Sequence, residues 1–311
     1  MGSGLETALA VLNGLVGDHL ARSRNGLETP MAFVQQGEPL TLDAESLAHA
    51  FPAASSKVVV LVHGLMNTEA IWAFPDGNDY GTLLARDAGF TPVYLRYNTG
   101  LPIVDNGATL ARLLDELVEA YPVPIDDLLL VGHSMGGLVL RSACHEAVAH
   151  ERAFLRRVHR AIYVGTPHLG APTERLGRVV SSVLLAINDP YTRLIGDIAN
   201  LRSAGLQDLG DADLRHEDRE RRTVGLRLAD WRHPVPLLPQ VKHHLIAGAL
   251  TDAPWLRTFF GDSIVPVPSA LASSMDPGTH VTRIFAGLTH IALAHDPEVY
   301  AQILAWAGAP T

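Results

Sequence analysis

The chain carries one cysteine, Cys144, in 311 residues. A single thiol cannot close an intramolecular disulfide, so nothing in the sequence calls for an oxidising compartment. No basic cluster adjoins it to stabilise a thiolate, and it reads as a small core residue within a helix. Positive charge is also scarce: 24 Lys and Arg face 33 Asp and Glu, a formal net charge of −9. Nucleic acid and anionic membrane surfaces are bound through clustered Lys and Arg, so neither is expected as a partner. The one charge-dense run, Arg215 to Arg222, mixes both signs and reads as a solvated helix face. No apolar run approaches the roughly 18 residues that span a bilayer. The amino terminus lacks a positive segment and an Ala-x-Ala-like cleavage site, and Asn13 interrupts its apolar stretch. The chain therefore reads as a soluble, cytoplasmic protein.

Apolar material is plentiful, at 47% of residues against 18% charged. That is enough for a large core, and the length suits one catalytic domain carrying an insertion. Residues 1–50 read as an amino-terminal helix, with Leu5, Leu9, Leu12, Leu15 and Val16 at helical spacing, followed by a hairpin of Met31–Val34 and Pro39–Leu42 at a sheet edge. Lys57–His63 is a continuous β-branched run, the pattern of a parallel strand buried on both faces. Strands over Thr91–Tyr97, Asp127–Gly132 and Arg160–Gly165 alternate with helices over Asn106–Tyr121 and Met135–Ala149. That rhythm implies βαβ units, an α/β class fold with a mostly parallel sheet flanked by helices. The rhythm breaks after Gly170. Residues 171–242 form a largely helical excursion, expected as a cap or lid, before strands His243–Ala249 and Val281–Ala286 and a closing helix after Asp296-Pro297. The core is thus expected over 51–170 and 243–311. There is no internal repeat or low-complexity segment.

Gly132-His-Ser134-Met-Gly136 matches Gly-x-Ser-x-Gly, a strand-to-helix elbow that exposes a serine hydroxyl on a sharply turned backbone. The buried strand before it and the helix after it supply the context the short motif needs. Ser134 is the candidate nucleophile. A tetrahedral oxyanion formed on it requires preorganised N–H donors. Met135, the next residue and the first of a helix, supplies one; Leu65 of His63-Gly64-Leu65, in the loop after a central strand, is expected to supply the other. Gly64 permits the tight turn, and His63 is expected to order it by hydrogen bonding. His133 and His168 are the further candidate pocket residues.

Fifteen histidines compete for the general base. With partners in the chain order Ser, acid, His, His290 fits best, because it follows the last strand in a Gly-Leu-Thr-His turn. His295 is the runner-up. Asp262, in Gly261-Asp-Ser-Ile-Val-Pro266 between the last two strands, is the candidate acid that orients the imidazole. Asp252 competes and reads more simply as a turn residue.

Four blocks then resemble a known group: Val60-Leu-Val-His-Gly-Leu65, Val131-Gly-His-Ser-Met-Gly-Gly137, Val164-Gly-Thr-Pro-His-Leu-Gly170, and Gly261-Asp-Ser-Ile-Val-Pro266 with Thr289-His290. They are similar to bacterial esterases and lipases of the α/β-hydrolase superfamily, including the GPI inositol-deacylase-like hydrolases. The resemblance covers about residue 57 to the end. It implies the α/β-hydrolase fold and hydrolysis of carboxylic esters, small-molecule or lipid, through an acyl-enzyme. Short to medium acyl chains are the first expectation. A lipase or acyltransferase acting on longer chains, or a non-catalytic binder on the same scaffold, are the rivals. The chemistry needs no cofactor, and no metal-ligand set carries over.

Overall fold

Val58 to Val62 is β-branched or leucine throughout, and every one of these side chains is buried. In a strand, alternate residues face opposite sides. Val58, Val60 and Val62 point into one apolar cluster, while Val59 and Leu61 point into a second. A strand buried on both faces needs helices on both, and this requirement organises the whole fold. The computed structural model describes residues 4–169, 203–211, 214, 235–249, 265, 267–270 and 280–308.

Among the described residues, eight strands form one sheet in the order β2-β1-β4-β3-β5-β6-β7-β8. They are β1 (Ala32–Gln35), β2 (Glu38–Pro39), β3 (Lys57–Val62), β4 (Thr91–Arg96), β5 (Asp127–His133), β6 (Val158–Val164), β7 (Lys242–Ala249) and β8 (His280–Ala286). The β1–β2 hairpin sits at the edge and pairs antiparallel to β4; the pairings from β3 to β8 are parallel. Helices α1 (Gly4–Arg22), α4 (Ile103–Ala120) and α5 (Met135–Ala149) contribute to the cluster on one face. Helix α3 (Tyr80–Ala88) and α7 (Pro297–Ala307) contribute to the cluster on the other. Helix α6 (Ala204–Asp211) adds Leu209 to the first cluster. Among the described residues no helix is long and apolar enough to cross a membrane.

Two short helices, α2 (Ala44–Ala50) and α3, go beyond the sequence reading. Neither has a long apolar stripe; their signals are caps. Asp43 accepts from the Ser46 amide at 2.8 Å. Asp79 and Thr82 form a reciprocal capping box, and Gly89 ends α3 in the left-handed region. Helix α1 also differs in its inward face. Leu5 is 69% exposed; Leu15 and Val16 pack inward as read and Leu12 lies partly buried against the core, but Val11, Asn13, Gly14, Gly17 and Leu20 join them. The Asn98 amide donates to the Gly17 carbonyl at 2.9 Å, a contact that requires close approach by small residues and not a leucine ridge. The greater part of the expected cap, 171–242, lies outside the described residues, as does the run Arg215 to Arg222.

Candidate active site

Ser134 ends β5 and begins α5 with φ +53° and ψ −124°, a backbone region that costs a non-glycine residue energy. Its main chain is held on both sides. Its N–H donates to the Val164 carbonyl at 2.9 Å, and its carbonyl accepts from the Gly137 amide at 3.1 Å. The strained turn is therefore locked to the carboxyl end of the neighbouring strand β6. Met135 is the first residue of α5, so its N–H is among those with no acceptor inside the helix.

The turn after β3 presses against this elbow. A Cβ at residue 64 would stand 2.9 Å from Ser134 Cβ and 3.3 Å from the His133 carbonyl, so only glycine fits there. His63 Nδ1 lies 2.9 Å from the Gly64 carbonyl. Since a carbonyl can only accept, Nδ1 carries the proton. A trans peptide points its N–H opposite its C=O, so fixing the Gly64 carbonyl also fixes the direction of the Leu65 N–H. Further clamps complete the turn. Asn67 Nδ2 donates to the Leu65 carbonyl at 2.8 Å, and the Met66 amide donates to Thr99 Oγ1 at 3.1 Å. Met66 is left-handed at φ +58°. The His63 ring stacks on Tyr97 with centroids 4.6 Å apart, and the Tyr97 hydroxyl donates to the His63 carbonyl at 2.9 Å. Burial pushes the His63 imidazole down to about 4, which keeps it neutral in this bonding role.

His290 is 2% exposed and rests on the end of β6. Gly165, at φ +62°, directly follows the strand residue that accepts the Ser134 amide. A Cβ on it would stand 3.2 Å from His290 Cε1 and Nδ1. The serine amide is thus bonded to Val164 and the imidazole lies beside Gly165, consecutive residues at one strand end. His133 joins them from below: its Nε2 donates to the His290 carbonyl at 3.0 Å, and the two rings lie 4.9 Å apart. Burial, reinforced by His290, pushes the His133 imidazole well below its ordinary value, so it donates as a neutral ring. His295 is held elsewhere, with Nδ1 bonded to the Ile71 carbonyl at 3.2 Å.

His168 is buried beside the same strand, 4% exposed, with Nδ1 accepting from Arg141 at 3.1 Å and its ring edge-on to Tyr163. Asp262 and Asp252 lie outside the described residues. Among the described residues no group of three or more His, Cys, Asp or Glu could hold a metal ion. The sequence reading passed over the supports: Gly165, Thr99, and Tyr80, whose buried hydroxyl contacts the Leu293 and Asp296 carbonyls at 2.9 and 3.0 Å and accepts from the Asp296 amide. The left-handed Gly165 was within reach, since it lies inside the Val164-to-Gly170 block. The others carry no local signal.

Comparison with known proteins places the chain in a group. The family described as "Alpha/beta hydrolase family" matches residues 59–303. No curated protein matches the chain. Among solved structures, the mature lipase BlEst2 of Bacillus licheniformis superposes with a TM-score of 0.55 at 18% identity, covering 90% of this chain and 99% of that one. The lin2722 gene product of Listeria innocua gives 0.50 at 15% identity, covering 83% and 96%. At those identities the likeness is one of fold.

Proposed function

Because the chain belongs to the alpha/beta hydrolase family, we propose that it is a serine carboxylic ester hydrolase, with Ser134 as nucleophile, His290 as general base and Asp262 as the acid that orients the imidazole. The observation that carries this reading is the strained Ser134 elbow, bonded to Val164 at the end of β6, with the His290 ring beside the next residue, Gly165, and the Gly64 turn against the serine. In the acylation step His290 takes the Ser134 hydroxyl proton as the oxygen attacks the ester carbonyl. The Leu65 and Met135 amides meet the negative charge that develops on the carbonyl oxygen. The C–O bond to the alcohol then breaks, and His290 returns the proton to the departing oxygen. Water, deprotonated by the same imidazole, attacks the acyl-serine and releases the carboxylic acid. His63 and His133 act on the main chain, the first aiming the Leu65 amide and the second holding the segment that bears His290. The substrates are small-molecule or lipid esters with short to medium acyl chains, met in the cytoplasm; the net charge of −9 and the lone buried cysteine suit that setting.

Turnover of p-nitrophenyl acetate, butyrate, octanoate and palmitate by the purified chain tests the reading. Activity is expected to peak at butyrate or octanoate, and Ser134→Ala to lose roughly a hundred-thousandfold in kcat together with fluorophosphonate labelling. A peak at palmitate would replace the esterase reading with a lipase one. Undiminished turnover by Ser134→Ala would sink both.

A further inference from the structure

Arg141 stands about two helical turns beyond Ser134 on α5 and is only 4% exposed. Its guanidinium makes two hydrogen bonds, from Nη1 to His168 Nδ1 at 3.1 Å and from Nη2 to the Val235 carbonyl. Both acceptors are neutral. Of the five N–H donors the group carries, Nε–H is buried with no partner. Among the described residues no carboxylate pairs with it. A buried cation without a counterion is unfavourable, because its lost hydration is not offset by an opposite charge.

Arg141 lines a cavity of about 240 Å³ together with Cys144, His145, Tyr163, Leu237 and His243. None of the Ser134 elbow, His290 or the His63-Gly64-Leu65 turn borders it. Among the described residues no carboxylate lines its walls. Burial pushes the Cys144 thiol up to about 12, so it stays protonated. The Tyr163 hydroxyl donates to His243 Nδ1 at 3.2 Å, and His243 Nε2 donates to the Leu238 carbonyl at 3.1 Å, which spends the protons of both groups. Among the described residues the cavity wall therefore carries one fixed positive charge, on a guanidinium whose Nη1 and Nη2 each keep a second N–H beyond the two bonds above, a pair that matches two oxygens of an oxyanion.

We propose that this cavity is a binding site for a small oxyanion, a carboxylate or inorganic phosphate, held by Arg141 behind the nucleophile helix. Its recognition chemistry is independent of ester hydrolysis. Calorimetric titration and thermal unfolding of the full chain with sodium acetate and with sodium phosphate, against chloride at matched ionic strength, test it. At ten times the dissociation constant a bound anion is expected to raise Tm by about 2 °C. The rise is expected to persist in Ser134→Ala, which separates this site from the catalytic one, and to vanish in Arg141→Met. A response to acetate alone or phosphate alone supports the site and names its ligand. Cys144→Leu narrows the cavity while keeping the guanidinium, and is expected to weaken binding about tenfold; it serves where Arg141→Met does not fold. If Arg141 served only its bonds to His168 and Val235, Arg141→Met would be destabilised equally in every buffer. That result, the absence of any shift in the parent chain, or unchanged binding in Cys144→Leu would overturn the proposal.

Discussion

A methyl group at residue 165 would meet the His290 ring on a backbone already at φ +62°. Gly165→Ala is expected to cost about 1–2 kcal/mol from the left-handed conformation alone. Because the new Cβ displaces the imidazole, kcat on a short ester should fall at least tenfold with KM little changed. Steady-state kinetics beside denaturant unfolding check this; a stability loss with intact kcat would detach His290 from the mechanism. Ser134 was legible in the sequence because the sterics of a Gly-x-Ser-x-Gly elbow are local. His290 was legible only as a position after the last strand. What distinguishes it from His295 is tertiary, since one ring lies on Gly165 and the other is tied to the Ile71 carbonyl. Asp262 rests on the motif and the proposal, outside the described residues.

At the scale of elements, the segment that bears His290 is pinned by a helix from the other end of the chain. The Tyr80 hydroxyl, fully buried on α3, serves two carbonyls and one amide within Leu293–Asp296. Tyr80→Phe removes the partner of the buried Leu293 carbonyl and of the Asp296 amide, while the Asp296 carbonyl keeps the Tyr300 amide, and is expected to lower stability by about 1–3 kcal/mol. Hydrogen exchange should rise in 288–296 ahead of the rest of the chain. Exchange unchanged in that segment would show that the loop is held by other means. Periodicity could not announce α3, because a nine-residue helix shows too few turns for a stripe to stand out; its capping box is the readable sign. The central strands β3 and β5 were readable because both faces are buried, which leaves an apolar run.

Across the whole molecule, burial pushes five imidazoles down: His63, His243 and His244 to about 4, and His133 and His168 well below their ordinary value. Each is neutral when folded and regains an ordinary value near 6.5 when unfolded. The unfolded chain therefore binds more protons below pH 6.5. The stability these groups contribute is fully present above that pH and is lost as pH falls towards 4, by at most about 1.4 kcal/mol per pH unit for each ring. Thermal unfolding between pH 7.5 and about 4.5 is expected to show a steep fall in Tm beginning near 6.5. A flat profile would mean that the rings are hydrated in the folded state.

Local rules were enough for the sequence to determine the buried central strands and the serine elbow, since each depends on residues adjacent in the chain, whereas glycine at 64 is required by the approach of Ser134. Which histidine lies beside Gly165 at the end of β6, which face α1 turns inward, and the guanidinium at its cavity were decided only in three dimensions. Those outcomes depend on burial and on hydrogen bonds between segments far apart in the chain, and no spacing in the sequence encodes a partner's position in space.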